Sequence, residues 1–186
     1  MMTSAKDVAR VFEYLSLQSD GCPIEVTRLN KLLYFAQGHA LAELKHALFT
    51  NQIDAWERGP VVAVVYTGFN KIVERTRKIG LSDIHVPPEE LDIILDVRNQ
   101  YRDYSATELV NLTHEPGSPW HEVYQSDTKN VHIPLELIQQ YFNQPENELK
   151  HVERDLDKLP SVDALPAEEY DPEEDSVWEA MLNDAR

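Results

Sequence analysis

The sequence predicts a mainly α-helical fold: a single compact helical domain over residues 3–145, a short extended segment before Gly59-Pro60, and an acidic C-terminal tail over residues 146–186. Three observations predict it. Apolar residues recur at helical spacing through most of the first 145 residues, behind recognisable helix starts. Strict polar–apolar alternation is confined to a few residues around Ile53. Charge is spread unevenly. Residues 146–186 hold 14 acids and 4 bases, net −10, against 19 acids and 13 bases, net −6, in the residues before them. A chain of 186 residues suits one domain plus an appendage.

The elements follow in order. Ser4-Ala5-Lys6-Asp7 is a capping box with Asp in place of Glu, and Val8, Val11, Phe12 and Leu15 mark one face of the helix it opens. Ser19-Asp20-Gly21-Cys22-Pro23 breaks that helix. Thr27 is placed to cap a second helix, running to about Leu44. Leu29, Leu32, Leu33, Ala36 and Ala40 form its stripe, and Tyr34, Phe35 and Leu41 widen it. A helix apolar around most of its girth belongs in the middle of a bundle. Ile53 and Ala55 alternate with Gln52 and Asp54, which predicts a short extended segment.

Val61 to Tyr66 has strand composition, yet Val62, Val65, Phe69 and Ile72 keep helical spacing. A helix is expected there, with Pro60 in its first turn. Trp56 is expected to be buried, and Gly59 to take positive φ or a close backbone approach. Pro87-Pro88-Glu89-Glu90 opens the next helix, continued by Leu91, Ile94, Leu95 and Tyr101. Ser105-Ala106-Thr107-Glu108 is a full capping box, followed by Leu109, Val110 and Thr113. His114 to Pro119 reads as a loop, Trp120 to Gln125 as a turn or two of helix, and Val131 to Pro134 as extended. A last helix carries Leu135, Ile138 and Phe142. In the tail, apolar residues thin out and Pro160, Pro166 and Pro172 punctuate the chain, so it is expected to be disordered or ordered by a partner. Two stretches of it keep helical spacing. Asn147–Leu159 does so through Leu149, Val152, Leu156 and Leu159, and Asp171–Asp184 through Val177, Trp178, Met181 and Leu182.

Composition excludes several classes. The net charge of −16 opposes direct nucleic-acid binding, which rests on neutralising phosphates with Lys and Arg. The one short basic cluster, Arg75, Arg77 and Lys78, is interrupted by acid at Glu74. No apolar run approaches the ~18 residues of a membrane span, and no secretory h-region opens the chain. A single cysteine, Cys22, excludes an internal disulfide framework and a cysteine-built zinc site, in keeping with a reducing cytoplasm.

Catalytic signatures are missing: no Gly-x-Gly stands in the chain, and neither His-Glu-x-x-His nor Gly-x-Ser-x-Gly occurs. The densest chemistry-bearing stretch is His114-Glu115, His121-Glu122, Asp127 and His132, a loose set for zinc or non-haem iron. Pro116 and Pro119 break any helical pairing of its imidazoles, so His114 is expected instead to cap the preceding helix, with Trp120 packed as a lid on the core. No metal and no cofactor are expected.

Three stretches carry a resemblance. Leu29-Asn30-Lys31-Leu32-Leu33-Tyr34-Phe35-Ala36-Gln37-Gly38, then Ile53-Asp54-Ala55-Trp56-Glu57-Arg58-Gly59-Pro60-Val61, then Leu112-Thr113-His114 with Pro119-Trp120, closely resemble the Panacea domain of SocA-like and GepA-like antitoxins and phage-associated proteins. The likeness runs from about Ala5 to Phe142. It implies a mainly helical, non-enzymatic protein that silences a co-encoded toxin by direct binding, in a bacterial or phage toxin–antitoxin pair. One branch of the family implies an alternative: a proteolytic adaptor delivering the toxin to a Clp protease. A metal-dependent enzyme using His114 and His121 is the rival from another class. Lys31, Tyr34, Trp56, Gly59, Pro60, His114 and Trp120 are the motif residues and are expected to be structural. Arg58, with Trp178, Met181 and Leu182 of the tail, is expected to meet the partner. Two features depart from the family: Lys45-His46, where relatives often place Gly, and the acidic tail.

Overall fold

The computed structural model describes residues 3–124 and 131–151. In chain order these form α1 (Ala5–Asp20), α2 (Val26–Glu43), β1 (Asp54–Trp56), β2 (Gly59–Val61), α3 (Ala63–Thr76), α4 (Pro88–Gln100), α5 (Ala106–Thr113), α6 (Pro119–Val123), β3 (Val131–His132) and α7 (Leu135–Phe142). The fold is mainly α, with one small antiparallel sheet in the order β2-β1-β3. α2 is its axis and packs against α1, α3, α4, α5, α7 and β2. Leu29, Leu32, Leu33, Ala36 and Ala40 are all buried along it, as the wide apolar face requires.

α1 starts as its sequence dictates. The Ser4 side chain accepts from the Asp7 amide, and Asp7 accepts from the Ser4 amide in return. Gly21, at φ 69°, ends the helix in the left-handed region. α2 begins at Val26 behind Glu25, not at a Thr27 cap, and Glu25 makes no side-chain capping bond. The chain's entry into α2 is fixed from α1 instead: Oε2 of the buried Glu13 accepts the Ile24 amide at 3.1 Å. At the other end, Lys45 takes φ 62°, a left-handed conformation just after the helix that ordinarily favours Gly. Gln37 then pins the following loop. Its Nε2 donates to the Phe49 carbonyl at 3.0 Å, and its Oε1 accepts from the amides of Leu48 and Phe49 at 3.0 and 3.3 Å.

β1 and β2 form a hairpin with Asp54 opposite Val61, Ala55 opposite Pro60 and Trp56 opposite Gly59. Pro60 therefore lies in a strand and does not open the next helix, which begins at Ala63 after an extended Val62. The strand composition prevails as far as Val61. Beyond it the helical spacing takes over, and Val65 and Ile72 are buried in α3.

α4 has Pro88 at its first position. Its buried face is Ile93, Ile94 and Val97, continued by Tyr101, while Leu91 and Leu95 are half-buried. The Ser105 capping box opens α5, and Ser118 caps α6. α7 lies so close on α2 that a Cβ at Gly38 would come within 2.3 Å of the Phe142 ring. Phe35 stacks on Tyr101 at 4.3 Å and meets Phe142 edge-on, joining α2, α4 and α7 in one aromatic core.

Past α7 a 3-10 turn covers Pro145–Asn147, and Glu148 is extended, so the helix expected from Asn147 is not formed over residues 147–151. These residues are held by the body. Leu149 is buried, the Lys150 amide donates to Gln100 Oε1 at 2.8 Å, and His151 lies between Asp96 at 2.8 Å and Glu43 at 3.2 Å. Val152, Leu156, Leu159 and the whole Asp171–Asp184 pattern lie outside the described residues.

Candidate functional site

The first motif puts two polar residues, Asn30 and Lys31, on the otherwise apolar α2, and both are buried. Each holds backbone of the second motif. Asn30 Oδ1 accepts the Val62 amide at 2.9 Å, while its Nδ2 donates to the Val26 carbonyl at 2.9 Å. Lys31 Nζ donates to the Pro60 carbonyl at 2.8 Å. Burial lowers the Lys31 ammonium to a pKa of about 7, and the Arg58 guanidinium adds to the shift.

Gly59 sits where these groups converge, at φ 93°, a region that favours glycine. A Cβ there would lie 2.6 Å from Thr113 Oγ1 and 2.7 Å from Lys31 Cε. Thr113 brings in the third motif. It is buried at the end of α5, its carbonyl accepts from Ser118 Oγ at 2.7 Å, and His114 follows it as the helix C-cap. The His114 ring stacks on Trp120 at 3.6 Å, nearly parallel, and Trp120 stacks in turn on Tyr124 at 4.5 Å. Trp120 Nε1 donates to the Trp56 carbonyl at 2.8 Å, which ties α6 back to the hairpin. The three motifs, distant in sequence, thus meet in one knot of hydrogen bonds and stacked rings. Tyr34 lies elsewhere on α2, in the aromatic core against Phe35 and Phe142.

The imidazoles do not gather into a metal centre. His114 is pushed toward its neutral form by burial, then by Lys31 and His121. Its Nε2 is buried with no hydrogen-bond partner among the described residues. His121 is exposed on α6, His132 is exposed on β3 with Nδ1 3.2 Å from the Ile53 carbonyl, and Asp127 lies outside the described residues. Among the described residues, no group of three His, Cys, Asp or Glu side chains is arranged to hold a metal ion. Cys22 is exposed in the loop after α1.

The outer face of the knot differs in character. Trp56, expected to be buried, is half-buried: the alternation of β1 turns Ala55 into the core and Trp56 away from it. Its ring meets Tyr66 edge-on at 5.1 Å, and Tyr66 is 44% exposed. Arg58 stands exposed in the β1–β2 turn and makes no hydrogen bond or ion pair among the described residues. Trp56 Nε1 is buried without an acceptor among the described residues. Of the expected partner contacts, only Arg58 falls within the described residues; Trp178, Met181 and Leu182 lie outside them. Tyr66 was not singled out by sequence, because α3 gives its periodicity to the buried Val65 and Ile72.

A second concave feature lies at the far end of α2. His39, Glu43, Phe142, Pro145, Glu148 and Leu149 line a hollow of about 320 Å³. His39 is buried, its Nε2 has no partner among the described residues, and burial, with His151 adding to it, lowers its pKa to about 3.

Among the described residues no helix is long and apolar enough to cross a membrane. No solved structure matches the chain. The family described as antitoxin SocA-like, Panacea domain, matches residues 29–121, a span that holds every motif residue of the knot. The Antitoxin SocA of Caulobacter vibrioides (strain NA1000 / CB15N) is 34% identical over 127 residues, covering 62% of this chain and 68% of the relative. The knot therefore joins segments that the family shares, and the chain belongs to the SocA-like antitoxin family of Panacea-domain proteins.

Proposed function

We propose that this protein neutralises a co-encoded protein toxin by binding it directly, without covalent chemistry. Membership of the antitoxin family is the observation that carries this reading. The geometry supports it. The motif residues are engaged with one another in the knot, and the residues left on its outer face, Trp56, Arg58 and Tyr66, are of the types that anchor protein interfaces. An acidic chain meets a basic partner surface quickly, because opposite potentials steer the encounter. The tail, with Trp178, Met181 and Leu182 among its acids, is proposed to add to the grip on the toxin.

Co-expression tests this. The reading frame beside this one is expressed alone and with the full chain. The expected result is growth arrest in the first case and growth in the second, with a complex of the two unmodified proteins recovered on purification. Rescue that leaves the toxin covalently altered, or rescue with no complex, would overturn direct binding. Arg58→Glu should weaken the complex by at least about tenfold if the knot's outer face carries the contact.

A further inference from the structure

The outer face of the knot is incomplete in three respects. Among the described residues an exposed guanidinium makes no ion pair, a buried indole N–H has no acceptor, and two aromatic rings stand partly in solvent, all on one corner formed by the β1–β2 turn and the start of α3. Behind that corner lies a second cation, Lys31, whose ammonium is bound to a neutral carbonyl. Arg58 is thus an exposed cation on a chain of net charge −16, beside the exposed Glu57 of the same turn.

We propose that residues 152–186 of this same chain dock across the Trp56–Arg58–Tyr66 corner when no partner is bound. Two features of its sequence choose this occupant. The segment has the complementary charge, with 12 acids against 3 bases. Among those acids it carries the apolar cluster Val177, Trp178, Met181 and Leu182, bounded by Glu173, Glu174, Asp175 and Glu179. Apolar side chains cover the exposed part of the Trp56–Tyr66 ledge while a neighbouring carboxylate pairs with Arg58, so its charge is met.

The reach is also sufficient. The segment leaves the body at His151, which is held against Glu43 at the end of α2. Arg58 lies beyond Lys31, twelve positions back along that helix, a distance of about 18 Å at 1.5 Å per residue. Because α2 is buried, the tail must go around the surface; even a path twice that length takes about eleven extended residues at ~3.3 Å each, and 35 residues follow His151. The contact is intramolecular and does not depend on the identity of any toxin. In the antitoxin reading it means that a partner engaging this corner must first displace the tail.

Amide hydrogen exchange on the full-length protein tests this, read over residues 56–69 without any partner. Arg58 is exposed and Trp178 lies outside the described body, so Arg58→Glu and Trp178→Ala leave the core packing untouched. Each should speed exchange over 56–69 by about tenfold and leave α2 unchanged. Adding Glu173→Lys, Glu174→Lys and Glu179→Lys to Arg58→Glu should restore the protection, because the charges are then reversed on both sides. Equal exchange in all four proteins overturns the proposal, as does failure of the reversed pair to restore protection. Protection that grows with protein concentration also overturns it, since a second copy is then the occupant.

Discussion

Lys31 donates to a neutral carbonyl from a position only 1% exposed, and its ammonium is held down at a pKa of about 7. Between that value and its ordinary 10.5, the folded protein binds fewer protons here than the unfolded chain. Stability therefore rises with pH through this window, by at most about 1.4 kcal/mol per pH unit. Lys31→Met keeps the stem and removes the titration. Urea unfolding of both proteins at pH 7 and pH 9 should show the wild type gaining about 2–3 kcal/mol on the variant between the two. An equal response would show that the ammonium is not confined as the geometry requires. Gly59→Ala carries strain of two kinds, a positive φ and a Cβ against Thr113 and Lys31. It should cost about 2 kcal/mol or more in the same measurement. Lys45 presents the opposite case. It occupies a left-handed position, its ammonium reaches the Ala42 carbonyl, and Asn143 Oδ1 is 3.4 Å away. Lys45→Gly should raise stability by about 1 kcal/mol, because backbone relief outweighs one exposed contact. The sequence shows Lys31 only as a charge on an apolar stripe. Its target, the Pro60 carbonyl, carries no signature in side-chain identity.

Elements with their own start signals were legible; those fixed from elsewhere were not. Ser4 and Ser105 cap α1 and α5 in the way their sequences dictate. Ser105→Ala should cost about 0.5–2 kcal/mol, read as a lowered unfolding midpoint, since it removes the acceptor for the Glu108 amide. α2 is legible from its girth, and Leu33→Ala should cost about 2–5 kcal/mol at a site that is fully buried. Its start lies at Val26 and not behind a Thr27 cap, because Glu13, on another helix, anchors the entering chain. The sequence places Pro60 in the helix because proline suits a first turn, but a proline also fits a strand bonded on one side only, and that pairing is long-range information. Residues 147–151 keep helical spacing yet run as a strap, because Leu149 is buried in the body and His151 is held by two carboxylates.

At the scale of the molecule, α2 connects two regions of different chemistry: the motif knot near its start and the His39 hollow at its end. His39 joins α2 to α4 and α7 through Tyr101 and Phe142, and it is held to a pKa of about 3. Between about pH 6.5 and 3 the unfolded chain takes up a proton that the folded one refuses. Stability contributed here is therefore lost as pH falls through that range, by up to about 1.4 kcal/mol per unit. His39→Gln should flatten that part of the acid-unfolding curve relative to the wild type, measured by circular dichroism from pH 7 to pH 3. The mainly helical class was legible because helical periodicity recurs along most of the body. The site was legible as three motifs but not as a meeting point. Asn30, Thr113 and Ser118 act through backbone contacts across 30 or more residues or around a capped turn, and spacing along the chain does not encode such partners.

β2 ends the sheet, and such a rim ordinarily offers its backbone to any extended peptide. Here proline at position 60 supplies no N–H, its carbonyl is taken by Lys31, and the Val62 amide is taken by Asn30. Strand addition is thereby closed at this rim, for an aggregating copy and for a binding partner alike. In the proposed reading, a partner that meets the hairpin is recognised by side chains, and exposed residues such as Arg58 and Tyr66 can change without disturbing the bonds beneath them. Under that reading, partner choice can diverge while the scaffold stays fixed.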